Sequence, residues 1–105
     1  MGRIVIVAYK PKQDKESELV ELVESHLSIL RTEGLVSDRD SIVMRSTDGT
    51  VVEVFEWASK EAIEAAHKNP EVQKMWLEFS KICDFIPVSQ VSESRSMFSE
   101  FTPLN

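Results

Sequence analysis

The run Ile4-Val5-Ile6-Val7-Ala8-Tyr9 has no charged or strongly polar position. β-branched residues at this density, stopped by Lys10-Pro11-Lys12, form a short strand. Successive side chains of a strand point to opposite faces, and here Ile4, Ile6 and Ala8 lie on one face with Val5 and Val7 on the other. Both sides must therefore be covered. A chain of 105 residues has room for one domain with a modest core, so much of its remaining sequence has to serve as that cover.

The rest of the chain covers one side only. From Asp14, a suitable N-cap, apolar positions recur at Leu19, Leu22, Val23, His26, Leu27 and Leu30, with Glu21, Glu24, Ser28 and Arg31 opposite, and Gly34 offers the stop. Ser41 to Thr47 and Thr50 to Trp57 are β-rich and separated by Asp48-Gly49, which predicts a hairpin with a two-residue type I′ loop. Ser59 caps a short Ala-rich helix through Lys68. Asn69-Pro70 restarts it, and Val72, Met75, Trp76, Phe79, Ile82 and Cys83 make an apolar stripe. Phe85 to Val91 reads as the last strand, followed by a polar tail with Met97, Phe98, Phe101 and Leu104 at near-helical spacing.

The order βαββαβ is the split βαβ of ferredoxin-like folds. It predicts an α+β domain over residues 1–93, with four antiparallel strands in the order 4-1-3-2 and both helices on one face. A second copy of the chain, sheet against sheet, is the simplest cover for the open face, which predicts a homodimer with the tail, residues 94–105, packing on the partner.

Charge and composition remove several functions. Eighteen Asp and Glu against twelve Lys and Arg leave a net charge of −6, which argues against nucleic acid or an anionic membrane as partner. No apolar stretch approaches the roughly 20 residues of a membrane span. A single cysteine, Cys83, rules out an internal disulfide, and the Met1-Gly2-Arg3 opening lacks a secretory signal, so the chain reads as cytoplasmic. There is no Gly-rich phosphate loop, no Gly-x-Ser-x-Gly elbow and no spacing of ligands for a metal, and no cofactor is implied.

With a two-residue hairpin loop, Ile42, Met44, Ser46, Val51, Glu53, Phe55 and Trp57 share the helix-facing side, and Val43, Arg45, Val52, Val54 and Glu56 the other. His26 falls in the middle of the apolar stripe of its helix, and Glu53 then lies opposite it within reach. Two readings stand: a core histidine satisfied by its partner, or a catalytic base oriented by a carboxylate. A slip of the hairpin would substitute Glu56 for Glu53. Met44, Phe55, Trp57, Trp76 and Phe79 are spaced as core residues and together make the lining of an apolar pocket for a small molecule. His67 reads as a surface or cap residue, and Cys83 as an inert core thiol.

Val54 to Ala62 (Val-Phe-Glu-Trp-Ala-Ser-Lys-Glu-Ala), then Ala66 to Pro70 (Ala-His-Lys-Asn-Pro) and a Trp-containing helix, resemble the antibiotic biosynthesis monooxygenase domain family of the dimeric α+β barrel superfamily. Trp57, Ser59, His67 and Pro70 carry the likeness. It implies a ferredoxin-like dimer, and cofactor-free oxygenation of polycyclic aromatic anions among the family's activities. Its haem-degrading branch uses an Asn on the first strand, whereas the asparagines here are Asn69 and Asn105. Two classes follow: a cofactor-independent monooxygenase-like enzyme, with His26 and Glu53 as catalytic pair, acting on an aromatic or enolisable molecule, or a non-catalytic small-molecule-binding or structural dimer.

Overall fold

The computed structural model describes residues 1–105. Its elements in order are β1 (Arg3–Pro11), α1 (Glu16–Thr32), β2 (Ile42–Arg45), β3 (Val51–Trp57), α2 (Lys60–Lys68), α3 (Pro70–Ile82), β4 (Cys83–Ile86) and β5 (Thr102–Pro103). The sheet is antiparallel in the order β4-β1-β3-β2-β5. This is the expected ferredoxin-like α+β fold with one strand added at the β2 edge.

Local chemistry explains the helix boundaries. Leu19, Val23, His26, Leu27 and Leu30 put one buried face on α1. The chain enters α1 through Asp14, which adopts φ 64°, so Lys15 rather than Asp14 is the cap residue. It leaves through Gly34 at φ 72°, a conformation that costs glycine little. Ser59 Oγ accepts the Ala62 N–H to start α2. The Asn69 side chain accepts from the Glu71 and Val72 N–H groups to start α3, with Pro70 at its first position. Asn69 also donates to Glu33, tying this break to the end of α1. The core between sheet and helices holds Leu19, Leu30, Val72 and Phe79, none with measurable exposure. Each contributes about 1.5–3 kcal/mol.

Three expectations change. First, the hairpin loop has three residues: Ser46 N donates to Thr50 O, and Gly49, at φ 92°, donates back to Ser46 O. Asp48, bonded to the Ser46 hydroxyl and the Thr50 N–H, completes the turn, and both bonds lower its pKa. Register therefore shifts by one, pairing Val43 with Glu53 and Met44 with Val52. β3 is held in phase by β1, so the slip inverts β2 instead. Val43 and Arg45 take the helix side, and Ile42 and Met44 the open side.

Second, α3 runs straight into β4 at Cys83, and this strand ends at Ile86. Of the expected strand residues beyond it, Val88–Gln90 form a 3-10 turn instead, and a second such turn follows at Ser92–Arg95. Pro87, which has no N–H for the ladder, opens the first turn.

Third, the tail, whose apolar residues recur at near-helical spacing, forms a short strand on its own sheet instead of a helix. It crosses the open face as a strap. Val91 and Phe101 pack on Ala8, Val52, Met44 and Ile86, and Thr102–Pro103 pairs with β2. Leu104 N donates to Val43 O, and the Asn105 amide bonds Val43 N and Ser41 O. These bonds satisfy the exposed edge of β2, which would otherwise be an unpaired strand edge. The strap covers one half of the open face. Across the other half runs the cross-strand row Ile6, Val54, Ile42, with Ile4 beside it. Ile4, Ile6 and Ile42 are 53–59% exposed.

Candidate functional site

The helix side of β1 carries Val5, Val7 and Tyr9, and the helix side of β3 carries Val51, Glu53, Phe55 and Trp57. Glu53 is 0% exposed, the one carboxylate buried in this layer. An isolated buried carboxylate is costly, and here two donors meet it. The Tyr9 hydroxyl donates to Glu53 Oε1 at 2.8 Å, and His26 Nδ1 bonds the same oxygen at 2.8 Å. The partner is an acceptor-only carboxylate, so Nδ1 carries the hydrogen and the neutral ring has its lone pair on Nε2. Glu53 Oε2 is buried without a partner, so both donors act on one oxygen.

Aromatic rings fix this cluster. His26 meets Phe55 and Phe79 edge-on, with centroids 5.4 Å away in each case, and Tyr9 stacks on Phe79 at 4.9 Å. Burial, then the negative charge of Glu53 and the hydrogen bond to it, push the Tyr9 pKa well above the usual 10, so this hydroxyl stays a donor. Burial likewise pushes the Cys83 thiol up to about 11 and keeps it unreactive.

In front of the cluster lies an apolar cavity of about 410 Å³, lined by Val5, Val7, Tyr9, His26, Phe55, Trp57, Ile63, His67, Trp76 and Phe85. Eight of these ten residues are hydrophobic and the other two are the histidines. Nδ1 of His26 is committed to Glu53, whereas Nε2 has no partner in the protein and is not sealed from solvent. His26 is itself one of the residues that line the cavity. No three His, Cys, Asp or Glu side chains converge as metal ligands, and no helix is long and apolar enough to cross a membrane.

The residues expected at the site divide. His26 and Glu53 are brought together as a bonded pair, and Phe55, Trp57 and Trp76 line the cavity. Phe79 stands one layer behind, fully buried against Tyr9 and His26. Met44 is on the opposite face, packed with Ala8 and Val52, because the three-residue loop inverts β2. Glu56 lies at the open-face rim, where the Ser37 hydroxyl and Arg39 bond it and lower its pKa.

Two residues of the lining that carry polar groups were missed. Tyr9 shares the parity of Val5 and Val7, so a phenol on the helix side was available from alternation alone. His67, expected at the surface, is exposed yet reaches the rim of the cavity; its place beside Trp76 depends on how α2 and α3 break, which periodicity does not fix.

No curated protein matches this chain. A family model described as antibiotic biosynthesis monooxygenase matches residues 3–76, from β1 through Trp76, and so spans most of the cavity wall. The chain belongs to the antibiotic biosynthesis monooxygenase family.

Proposed function

We propose that this chain is a cytoplasmic, cofactor-independent monooxygenase that acts on a small aromatic or enolisable molecule, with His26 as general base and a homodimer as the working form. The observation that carries the reading is the unpartnered His26 Nε2 at an apolar cavity, with Nδ1 held by buried Glu53. A base in that setting takes a proton from the substrate, and the resulting imidazolium forms an ion pair with Glu53 across a bond already in place. Tyr9, kept protonated, steadies the same carboxylate oxygen.

The apolar walls exclude water, and the substrate anion supplies the electrons for oxygen. For an anthrone, the enolate carbon and O2 form a hydroperoxide, taking back one proton. Loss of water then leaves a carbonyl where the CH2 was: one O2 is consumed, one oxygen atom enters the product and the other leaves as water. The exposed Ile4, Ile6, Ile42 row supports a sheet-to-sheet dimer, as do relatives, which are commonly dimeric.

Oxygen uptake with a hydroxyanthrone tests the proposal. His26→Gln is expected to lower the enzymatic rate by about 10²- to 10⁴-fold while the protein stays folded by circular dichroism. Unchanged uptake in that variant overturns the role of His26. Tight binding of the anthrone without oxygen uptake in the wild type overturns catalysis and leaves a binding protein.

A further inference from the structure

A second histidine faces the same cavity from its rim. His67 sits in the last turn of α2, and its Nδ1 lies 2.8 Å from the Ile63 carbonyl. A carbonyl oxygen only accepts, so Nδ1–H is the donor and Nε2 of the neutral ring is a bare acceptor. The ring meets Trp76 at a centroid distance of 5.1 Å and an interplanar angle of 65°, which holds it against the cavity wall. Nε2 has no protein partner.

The cavity contains no Lys, Arg, Asp or Glu among its lining residues. The Tyr9 hydroxyl is committed to Glu53, and the indoles of Trp57 and Trp76 can only donate. Apart from the oxygen of Tyr9, a residue only 1% exposed whose hydroxyl is turned to Glu53, the free side-chain acceptors of the lining are two imidazole nitrogens at different depths: His26 is 3% exposed and His67 lies at the rim. A ligand anion would enter an apolar space with no cation to replace its hydration.

We propose that His67 is a specificity-determining acceptor. It selects an uncharged aromatic ligand that carries a donor group, hydroxyl or amino, remote from the group that meets His26. This rests on the aromatic-pocket reading above, and deepens it by specifying charge and donor pattern. A ligand held at both ends has its reacting position set relative to His26, whereas one held at a single end can rotate against the apolar walls.

The test is a titration of the full chain by quenching of Trp57 and Trp76 fluorescence, with 2-naphthol, the dihydroxynaphthalene isomers and 2-naphthoate as probes. The best diol is expected to bind about 3- to 10-fold tighter than naphthol, the worth of one further hydrogen bond. His67→Phe keeps an aromatic ring beside Trp76 without the acceptor, and should bring the best diol down to the affinity that naphthol has for the same variant. His67→Gln, which restores an acceptor, should recover part of it. Naphthoate should bind at least 10-fold more weakly than naphthol.

A diol advantage that survives His67→Phe, the lack of any advantage in the wild type, or naphthoate binding as tightly as naphthol overturns the inference. If naphthol binding still depends on His26 in those cases, the pocket reading stands and this inference alone fails. If no probe binds the wild type, both fail together.

Discussion

On the helix side of the sheet, β1 and β3 bury a tyrosine and a glutamate that share one hydrogen-bonded oxygen with a histidine from α1. On the other side of the same strands, Ile4 and Ile6 stand more than half exposed, and Ala8 is covered only because the tail straps across it. The helix side spends its polar groups inside an apolar wall, where Tyr9 and His26 are tied to one oxygen of Glu53, and the other carboxylate oxygen and one ring nitrogen are left over. Away from the hairpin turn, where Ser46 and Thr50 are buried and bonded to Asp48, the open side has an apolar row and no such cluster. Alternation along a strand thus lets one segment carry a buried hydrogen-bonded cluster on one face and an exposed apolar row on the other. Substitutions on the two faces should fail in different ways.

The largest effect is expected at Glu53. Glu53→Ala leaves the Tyr9 hydroxyl and His26 Nδ1–H buried without an acceptor and opens a cavity, and should cost about 3–5 kcal/mol in urea unfolding. A loss under about 1 kcal/mol would erase the contrast between the faces.

Ile6→Asp is the counterpart on the open side. It should leave the melting curve of the protomer nearly unchanged while weakening the self-association proposed above about 100-fold by sedimentation, since a carboxylate would be buried at the proposed interface. An unfolded variant, or an undisturbed dimer, breaks the assignment of that face.

Removing residues 101–105 takes away β5, Phe101 and Leu104. It should lower stability by about 2 kcal/mol, with exposure of the β2 edge seen as faster exchange of the Val43 amide. An unchanged curve with unchanged exchange would show that the strap does not hold the edge.

The smallest effect is alkaline. Tyr9 and Cys83 both have raised pKa values in the folded protein, Cys83 from 9.0 to about 11. Their contribution is fully present below the unfolded values and falls as pH rises through about 9 and beyond, because the unfolded chain then gives up protons that the folded one retains. The double variant Tyr9→Phe, Cys83→Ala should show a flatter decline of stability between about pH 9 and 11. An identical slope would contradict the burial of these two groups.

Much of the helix side was legible in the residues. His26 falls among Leu19, Val23 and Leu30 by helical phase, and Glu53 alternates with Val51 and Phe55, so their meeting needed only the element order and the face of β3. The choice between Glu53 and Glu56 was left open in the sequence, and it is the register with β1 that puts Glu53 on the helix side. The phase of β2 was open too: Asp48-Gly49 suits a two-residue loop as well as the end of a three-residue one, and the choice moves Met44 and Val43 to opposite faces. The tail was harder still. Its apolar spacing resembles a helix, yet Pro103 forbids helix continuation and the bonds from Leu104 and Asn105 to β2 are long-range, invisible to local pattern.

The central claim is that His26 presents an unprotonated Nε2 to the cavity while Nδ1–H is held by Glu53. Long-range ¹H–¹⁵N correlation spectra of the imidazole, recorded near pH 8 on ¹⁵N-labelled wild type and Glu53→Gln protein, read the tautomer directly. The account predicts the Nδ1–H tautomer in the wild type, with the Nε2 resonance shifting when naphthol binds. An Nε2–H tautomer in the wild type, or an Nε2 resonance indifferent to bound naphthol, would contradict it.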